Sequence, residues 1–273
     1  MGHKLLNLAD PLVMGVINIT PDSFFDGGRY SQVDRALLHA EKLLQEGADI
    51  LDIGAYSSRP NAAHISEEEE INRLVPFIDL LKKQHSGCVI SIDTFRSKVA
   101  EIAVQHGAHI INDISGGGLD NNMFETIGKL QVPYILMHMR GTPKSMQSFT
   151  EYEDLISDIC AYFADRINKL RFFGVKDIIL DPGPGFAKTL EQNFEVINRF
   201  SEFGVFGLPL LGAVSRKSMI YNTLGLTAQD ALNGTTVLNS VLMLNGAKIL
   251  RVHDVKEAKE TVLLIKKLKE RSK

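Results

Sequence analysis

Tryptophan is absent from the 273 residues, and cysteine occurs only twice, at Cys88 and Cys160. Two widely spaced thiols in apolar or amphipathic surroundings make neither a disulfide framework nor a zinc pattern, so both are expected to be reduced and buried. Nowhere does an apolar run reach the roughly 18 residues of a membrane span. Residues 1–11 have no apolar h-region and include Asp10, so a secretory signal is not expected and a cytoplasmic location without a membrane partner is. Charge of one sign is also lacking. The formal balance is −3 with both signs spread along the chain, which argues against broad nucleic-acid binding and leaves local anion sites open. No GxGxxG follows the first strand candidate, which removes the usual dinucleotide fingerprint.

What is present is core material: 44% of the residues are apolar, and the length suits one α/β barrel. Short apolar strand candidates lie at 12–18, 48–54, 88–93, 108–113, 132–139, 176–181, 208–215 and 247–254. Amphipathic helix candidates follow them at 33–47, 66–83, 97–107, 124–130, 152–174, 191–203, 228–246 and 255–273. In the first helix Val33, Leu37, Ala40, Leu43 and Leu44 form the stripe and Gly47 stops it; the second opens on Ser66 and a run of glutamates, as a helix N-terminus should. Eight strand–helix repeats with no long structureless gap predict an α/β fold, a closed (β/α)8 barrel of the TIM-barrel type in a single domain over 1–273. The alternative architecture is an open doubly wound sheet.

Active sites of such barrels are built at the C-terminal ends of the strands. Strand by strand, those ends carry Asn18, then Ser58 and Arg59, then Asp93, Asn112, His138 with Arg140, Asp181, the run Ser215–Arg216–Lys217–Ser218, and Arg251 with His253. Taken singly, each has an ordinary explanation. Asp93 before Thr94 suits a helix cap, Asn112 and Asp113 suit a turn, and Asp181 in DPGPG suits a turn former. Together they form one polar ring at one rim. Arg251 and His253, two apart on an extended segment, face the same side.

Chemically the ring has two parts. Asp93, Asn112 and Asp181 suit a planar heterocycle that shows an amino group and ring nitrogens, and Lys217 can donate to a ring carbonyl or nitrogen. Arg59, Arg251 and His253 make a cationic rim suited to an anion, and Asn18 suits a phosphate-bound Mg²⁺, a hard ion that keeps several waters. A heterocycle pocket beside an anion pocket describes a substrate with a phosphate-type leaving group. The loop TPDSFFDGGRY, with Asp22, Phe24, Asp26 and a glycine pair, is of a kind that can fold over a site.

MGVINITPDSFFDGG, DIGAYSSRP, SIDTFRSKVA, GAHIINDISGG, DPGPGFAKT, GAVSRKS and RVHDV occur in this order between about residues 12 and 258. In these segments the chain resembles the dihydropteroate synthase family. The resemblance implies a pterin-binding barrel, usually dimeric, that uses Mg²⁺ and takes part in folate biosynthesis. It implies condensation of 6-hydroxymethyl-7,8-dihydropterin pyrophosphate with para-aminobenzoate to 7,8-dihydropteroate and pyrophosphate. Carried onto this chain, Asp93, Asn112, Asp181 and Lys217 resemble pterin contacts, with Met137 and Gly212 lining the slot. Arg251 resembles the residue that stacks on the pterin and helps hold the pyrophosphate; His253 and Asn18 resemble further pyrophosphate contacts, Asn18 also the Mg²⁺ ligand. Ser58, Arg59, Pro60, Phe186 and Ser218 match the surroundings of para-aminobenzoate, and Asp22, Phe24 and Asp26 match a closing loop. Asp93, Asp181, Lys217, Arg251, Asp22 and Asp26 are the catalytic candidates, and a homodimer through the last two helices is implied.

Departures from the family pattern are small. Ser58 stands where Thr is usual, Phe25 where a small polar residue is common, Pro184 where Ile is frequent, and Asn121–Asn122 where Asp-Pro often occurs. Two other readings share the barrel: a methyltetrahydrofolate-binding corrinoid methyltransferase domain and a catalytically silent pterin-binding barrel. The SRKS segment, the RxH strand end and the DSFFDGG loop argue against the first; the completeness of the ring argues against the second.

Overall fold

A computed structural model describes residues 6–19, 32–56 and 64–270. It contains eight strands: β1 (Leu12–Asn18), β2 (Ile50–Gly54), β3 (Ile90–Asp93), β4 (Ile110–Asp113), β5 (Tyr134–Met137), β6 (Ile178–Asp181), β7 (Leu210–Gly212) and β8 (Ala247–Val252). Each is parallel to the next, and β8 returns to β1, so the sheet is a closed barrel. Around it lie α1 (Gln32–Gln45), α2 (Glu67–Gln84), α3 (Ser97–Gln105), α4 (Met123–Leu130), α5 (Leu155–Phe172), α6 (Leu190–Asn198), α7 (Ser218–Leu224), α8 (Leu232–Leu244) and α9 (Val255–Glu270). Parallel neighbours need a crossover, and here a helical segment makes each one.

Local chemistry sets the element ends. The Ser66 hydroxyl accepts from Glu69 N at 3.1 Å and starts α2; Thr189 and Gln192 form a reciprocal capping box at α6. Asp154 caps α5 through Ser157 N at 2.8 Å, so that helix starts later than the periodicity from residue 152 suggests. Strands β5 and β7 are shorter than their apolar runs. Pro133 and Pro209 precede them and have no N–H to give to a ladder.

One correction concerns the crossover after β7. The sequence pattern suggests a single helix over 228–246, whereas the chain first forms α7 and then α8. Gly225, at φ 66°, ends α7, and Leu226 N closes the turn on Tyr221 O at 2.8 Å. A seven-residue helix is too short to show a convincing period.

Inside the barrel, alternation along the strands stacks two unlike layers. Met14, Ile50, Val89, Ile110, Ile135, Ile179, Leu211 and Ile249, seven from the other strands and Val89 from just before β3, form a sealed apolar floor. Two residues further along the same strands come Asp52, Ser91, Asn112, Met137, Asp181 and Arg251, on the same inward face. The other face of each strand packs against the helices in a separate, larger core around Tyr134, Phe77, Phe163 and Phe200. The polar layer therefore sits on an apolar plug, at the C-terminal end of the barrel.

Candidate active site

Arg251 organises the polar layer. Its Nε donates to Asp52 Oδ2 at 2.6 Å and its Nη2 to Asp93 Oδ2 at 2.7 Å. Asn112 Nδ2 donates to the same Asp52 oxygen at 3.0 Å. Asp52 is fully buried, so one carboxylate on β2 fixes an amide on β4 and a guanidinium on β8. Its other oxygen, Oδ1, and Ser91 Oγ, at registered positions of β2 and β3, are buried without a hydrogen-bond partner among the described residues. Asp52 is not among the residues singled out from the sequence. The available signal was a carboxylate two residues after Ile50 in an otherwise apolar strand, on the inward face.

The ordinary explanations now separate. Asp93 does not cap α3, whose first amide, Ser97 N, is taken by Asp120 Oδ2 at 2.7 Å; its carboxylate goes to Arg251 instead. Asn112 turns inward to Asp52, while Asp113 turns outward and is the turn former. Asp113 accepts from Tyr134 Oη at 2.6 Å, Ser115 N at 2.7 Å and Gly117 N at 2.9 Å. Asp181 does both: it belongs to the inward layer, and its Oδ1 accepts from Gly183 N at 2.8 Å to shape the DPGPG turn.

Burial raises Asp93, with Arg251 opposing; burial also raises Asp181, with Lys217 opposing. Lys217 is pushed down to about 8 by burial against the pull of Asp181. Its Nζ donates to Pro184 O at 2.5 Å and stands 5.0 Å from the centre of the Phe186 ring. Met137 is buried beside Ile114, Met139 and Ala187, and Phe186 packs against this apolar group. An apolar wall with a cationic edge thus stands next to the Asp93–Arg251–Asn112 constellation.

At the rim, Ser215 Oγ lies 3.0 Å from His253 Nδ1 and accepts from His253 N at 3.1 Å, which fixes the imidazole against the end of β7. Desolvation and then Arg251 push this imidazole below its ordinary range, though the residue is open to solvent. Asn18 ends β1 in register with Gly54, and Gly54 with Asp93. A Cβ on Gly54 would lie 3.7 Å from Asn18 Oδ1 and 3.5 Å from Asp93 Cβ, so the bare glycine leaves a notch between the two.

Other residues named from the sequence lie outside the inward polar layer. Arg216, at φ 54°, pairs with Asp254 through Nε at 2.8 Å and Nη2 at 2.7 Å. Arg140 stacks on Tyr152 at 3.9 Å and donates to Asp158 at 3.0 Å. His138 points out of the barrel to Lys188, a buried cation that sequence reading did not single out. Ser218 is exposed at the first position of α7. On Gly212 the missing side chain faces α8, where a Cβ would come within 2.8 Å of Leu242 Cδ1. Asp22, Phe24, Asp26, Ser58, Arg59 and Pro60 lie outside the described residues.

Comparison with known proteins agrees with this geometry. Residues 14–253 match the family model described as "Pterin binding enzyme". The chain is 41% identical over 275 residues to the dihydropteroate synthase of Clostridium beijerinckii, covering 98% of this chain and 99% of that one. Its fold superposes on a Yersinia pestis dihydropteroate synthase solved with a sulfonamide drug complex, with TM-score 0.92 and 39% identity over 99% and 98% of the two chains. It also superposes on a Xanthomonas albilineans dihydropteroate synthase in complex with 7,8-dihydropteroate, with TM-score 0.88 and 31% identity over 97% and 95%. Neither a methyltransferase nor a silent barrel fits relatives of that kind over their full length. A sealed apolar floor, an inward layer of three carboxylates, an amide and an arginine, and full-length likeness to these proteins lead to one conclusion: the chain belongs to the dihydropteroate synthases of the pterin-binding enzyme family.

Proposed function

We propose that the mouth of this barrel binds 6-hydroxymethyl-7,8-dihydropterin pyrophosphate first and para-aminobenzoate second. The amine nitrogen bonds to the pterin methylene carbon as the C–O bond to pyrophosphate breaks. The nitrogen loses one proton, and 7,8-dihydropteroate and pyrophosphate leave. The observation that carries this reading is Arg251 held between Asp52 and Asp93, level with Asn112 and above an apolar floor. Such an arrangement offers hydrogen-bond acceptors to a heterocycle and positive charge to an anion within one side chain's reach.

In this reading Asp93, Asn112, Asp181 and Lys217 hold the pterin, with Met137 and Gly212 beside it. A carboxylate accepts paired N–H donors, and the amide supplies both senses. Because the dihydropterin is electron-rich, positive charge that develops at the methylene spreads into the ring; Asp93 and Asp181 balance it, and no strong base is needed for an aromatic amine. Arg251, with His253 and Asn18, takes the charge that grows on the departing pyrophosphate. Phe186 and Ser218, together with Ser58, Arg59 and Pro60, surround para-aminobenzoate. Asp22, Phe24 and Asp26 belong to a loop that screens the cation from water.

A hard oxygen, Asn18 Oδ1, faces the notch beside Asp93, which suits Mg²⁺ carried on a pyrophosphate and bound by few protein ligands. When bound, the ion neutralises charge on the leaving group. A homodimer is supported by Val237 and Leu244 on α8 and Leu263, Leu264 and Leu268 on α9, apolar and exposed on two helices packed side by side. A cytoplasmic location is supported by the two cysteine thiols, and no described helix is long and apolar enough to cross a membrane. Sulfonamides are expected to compete with para-aminobenzoate here, as a sulfonamide drug complex exists for the Yersinia relative.

The test is pyrophosphate release by the purified protein with Mg²⁺ and the pterin pyrophosphate, with and without para-aminobenzoate. Release in step with dihydropteroate formation is expected. Tight pterin binding with no para-aminobenzoate-dependent release overturns the reading.

A further inference from the structure

The loop after β6, residues 182–189, is fastened almost carbonyl by carbonyl. Pro184 O accepts from Lys217 Nζ, and Ala187 O accepts from Tyr152 Oη at 2.7 Å. The central fastener is Lys188. Its Nζ donates to Gly183 O at 3.0 Å, to Phe186 O at 3.1 Å and to His138 Nδ1 at 3.0 Å. An ammonium has three hydrogens, and here each has its own acceptor. The side chain is 3% exposed and its donors are filled from within the protein, so it has none to offer a substrate.

We infer that Lys188 is a positioning residue: its three-point grip on His138, Gly183 and Phe186 sets the Phe186 wall against which para-aminobenzoate lies. This rests on the function proposed above, which puts Phe186 beside that substrate. Phe186 sits between tethered carbonyls, Pro184 O before it and Ala187 O after it, its own carbonyl is also held, and Ala187 is in the left-handed region at φ 48°. Without the tethers nothing favours that backbone for an alanine. The grip is anchored on β5 through His138, so the ring is referenced to the barrel instead of to its own loop.

Both partners must be in the right protonation state. His138 accepts at Nδ1 only when that nitrogen is bare, and burial, then Lys188, hold its imidazole well below the ordinary range. Lys188 is pushed down to about 7 by burial, against the attraction of Asp181. Besides His138, the charged groups around this amine are Asp181, Lys217 and Arg140, and Arg166 acts on His138. Below that value the ammonium fills all three bonds. Above it a neutral amine has two hydrogens for three acceptors, so the third contact needs His138 to turn an Nδ1–H toward the amine lone pair, and the grip loses its charge assistance.

The test is steady-state kinetics on the full-length enzyme at pH 6.5 and 8.5, varying each substrate, for wild type, Lys188→Met and Lys188→Gln. At pH 6.5, KM for para-aminobenzoate should rise about tenfold (~1.4 kcal/mol) in Lys188→Met, while KM for the pterin pyrophosphate stays within about threefold. In wild type, KM for para-aminobenzoate should climb more steeply between the two pH values than in either variant, because the variants lack the Lys188 amine. Lys217 titrates in wild type and variants alike, so the readout is the difference in steepness and not the presence of a pH response. If Lys188→Met fails to fold, Lys188→Gln, which keeps two donors for the carbonyls but cannot titrate, decides through the shallower pH response. A folded variant with the wild-type KM and pH response for para-aminobenzoate overturns the inference. So does one that raises both KM values by the same factor. Wild-type protein that makes no dihydropteroate strikes the proposed function instead.

Discussion

Replacing Asp52 with Asn is the sharpest probe of how the polar layer works. The change keeps the shape of the side chain and removes its charge. Asp52 Oδ2 now serves two donors, Arg251 Nε at 2.6 Å and Asn112 Nδ2 at 3.0 Å, in a site with no solvent exposure. An amide oxygen in the place of Oδ2 can still accept from both, but it carries no charge, so the contact with the Arg251 guanidinium loses its charge assistance. Hydrogen bonds to charged groups contribute about 1.5–3 kcal/mol, and the Asp93 contact to Arg251 survives, so the loss should be close to one such bond. At about 1.4 kcal/mol per factor of ten, kcat/KM for the pterin pyrophosphate should fall roughly 10- to 150-fold. The assay is initial-rate kinetics with pterin pyrophosphate varied at saturating para-aminobenzoate, paired with calorimetric melting. KM for para-aminobenzoate should move much less, because Asp52 lies on the pterin side of the layer. A well-folded Asp52→Asn protein within about threefold of wild type in kcat/KM would show that Arg251 and Asn112 keep their places without the carboxylate. The idea of a shared anchor would then be wrong.

Three further outcomes follow from the same geometry. Arg251→Ala removes the cation between two carboxylates and should weaken pterin pyrophosphate binding on the order of 100-fold by calorimetric titration, and an unchanged affinity contradicts the anion-site assignment. Gly183→Ala adds a Cβ that would lie 2.3 Å from His138 O at a residue with φ 66°, so melting temperature should fall by an amount equivalent to ~2 kcal/mol or more; a melt matching wild type counts against this turn being strained by any side chain. His138 is held well below the imidazole range by burial, so as the pH falls below about 6.5 the unfolded chain takes up a proton that the folded chain does not. Its contribution to stability is full above that pH and is lost in acid. Melting temperature between pH 7 and pH 5 should therefore decline less steeply in His138→Gln than in wild type, and parallel slopes refute the argument.

Most of the architecture is legible from period alone. Eight apolar runs separated by amphipathic stretches correspond to eight parallel strands in a closed barrel. Asn18, Asp93, Asn112, Asp181 and Arg251 can be identified because they end strands, and in a barrel the strand ends meet. Period says less where an element is short, as for α7, or where a contact lies across the fold. Asp52 shares no local pattern with Arg251, 199 positions away, and becomes meaningful only when β2 and β8 flank β1. Lys188 is not singled out by the sequence, and only the close seat of residues 182–189 on the end of β5 buries it. The ring of polar residues contained a second ambiguity. His138, Arg140 and Arg216 occur at strand ends like the others, but their side chains hold loops together.

That division follows one rule, and it explains why inward-facing polar groups and loop anchors come in adjacent pairs. Consecutive residues of a strand point to opposite faces. At the end of β3, Asp93 turns in to Arg251, and Thr94 turns out and donates to the buried Glu70 of α2 at 2.7 Å. At the end of β4, Asn112 turns in, and Asp113 turns out to gather Tyr134, Ser115 and Gly117. After β5, Met137 faces the apolar wall and His138 receives Lys188. Each of these three strands thus delivers a group to the inward face and, one peptide later, a group that fastens a neighbouring loop or helix. The inward group is only as well placed as its outward neighbour is well anchored, because one peptide unit separates them. Loop chemistry on the outside of this barrel therefore bears on the inward polar layer, and substitutions at Thr94, Asp113 or His138 are expected to disturb that layer although none of these side chains belongs to it.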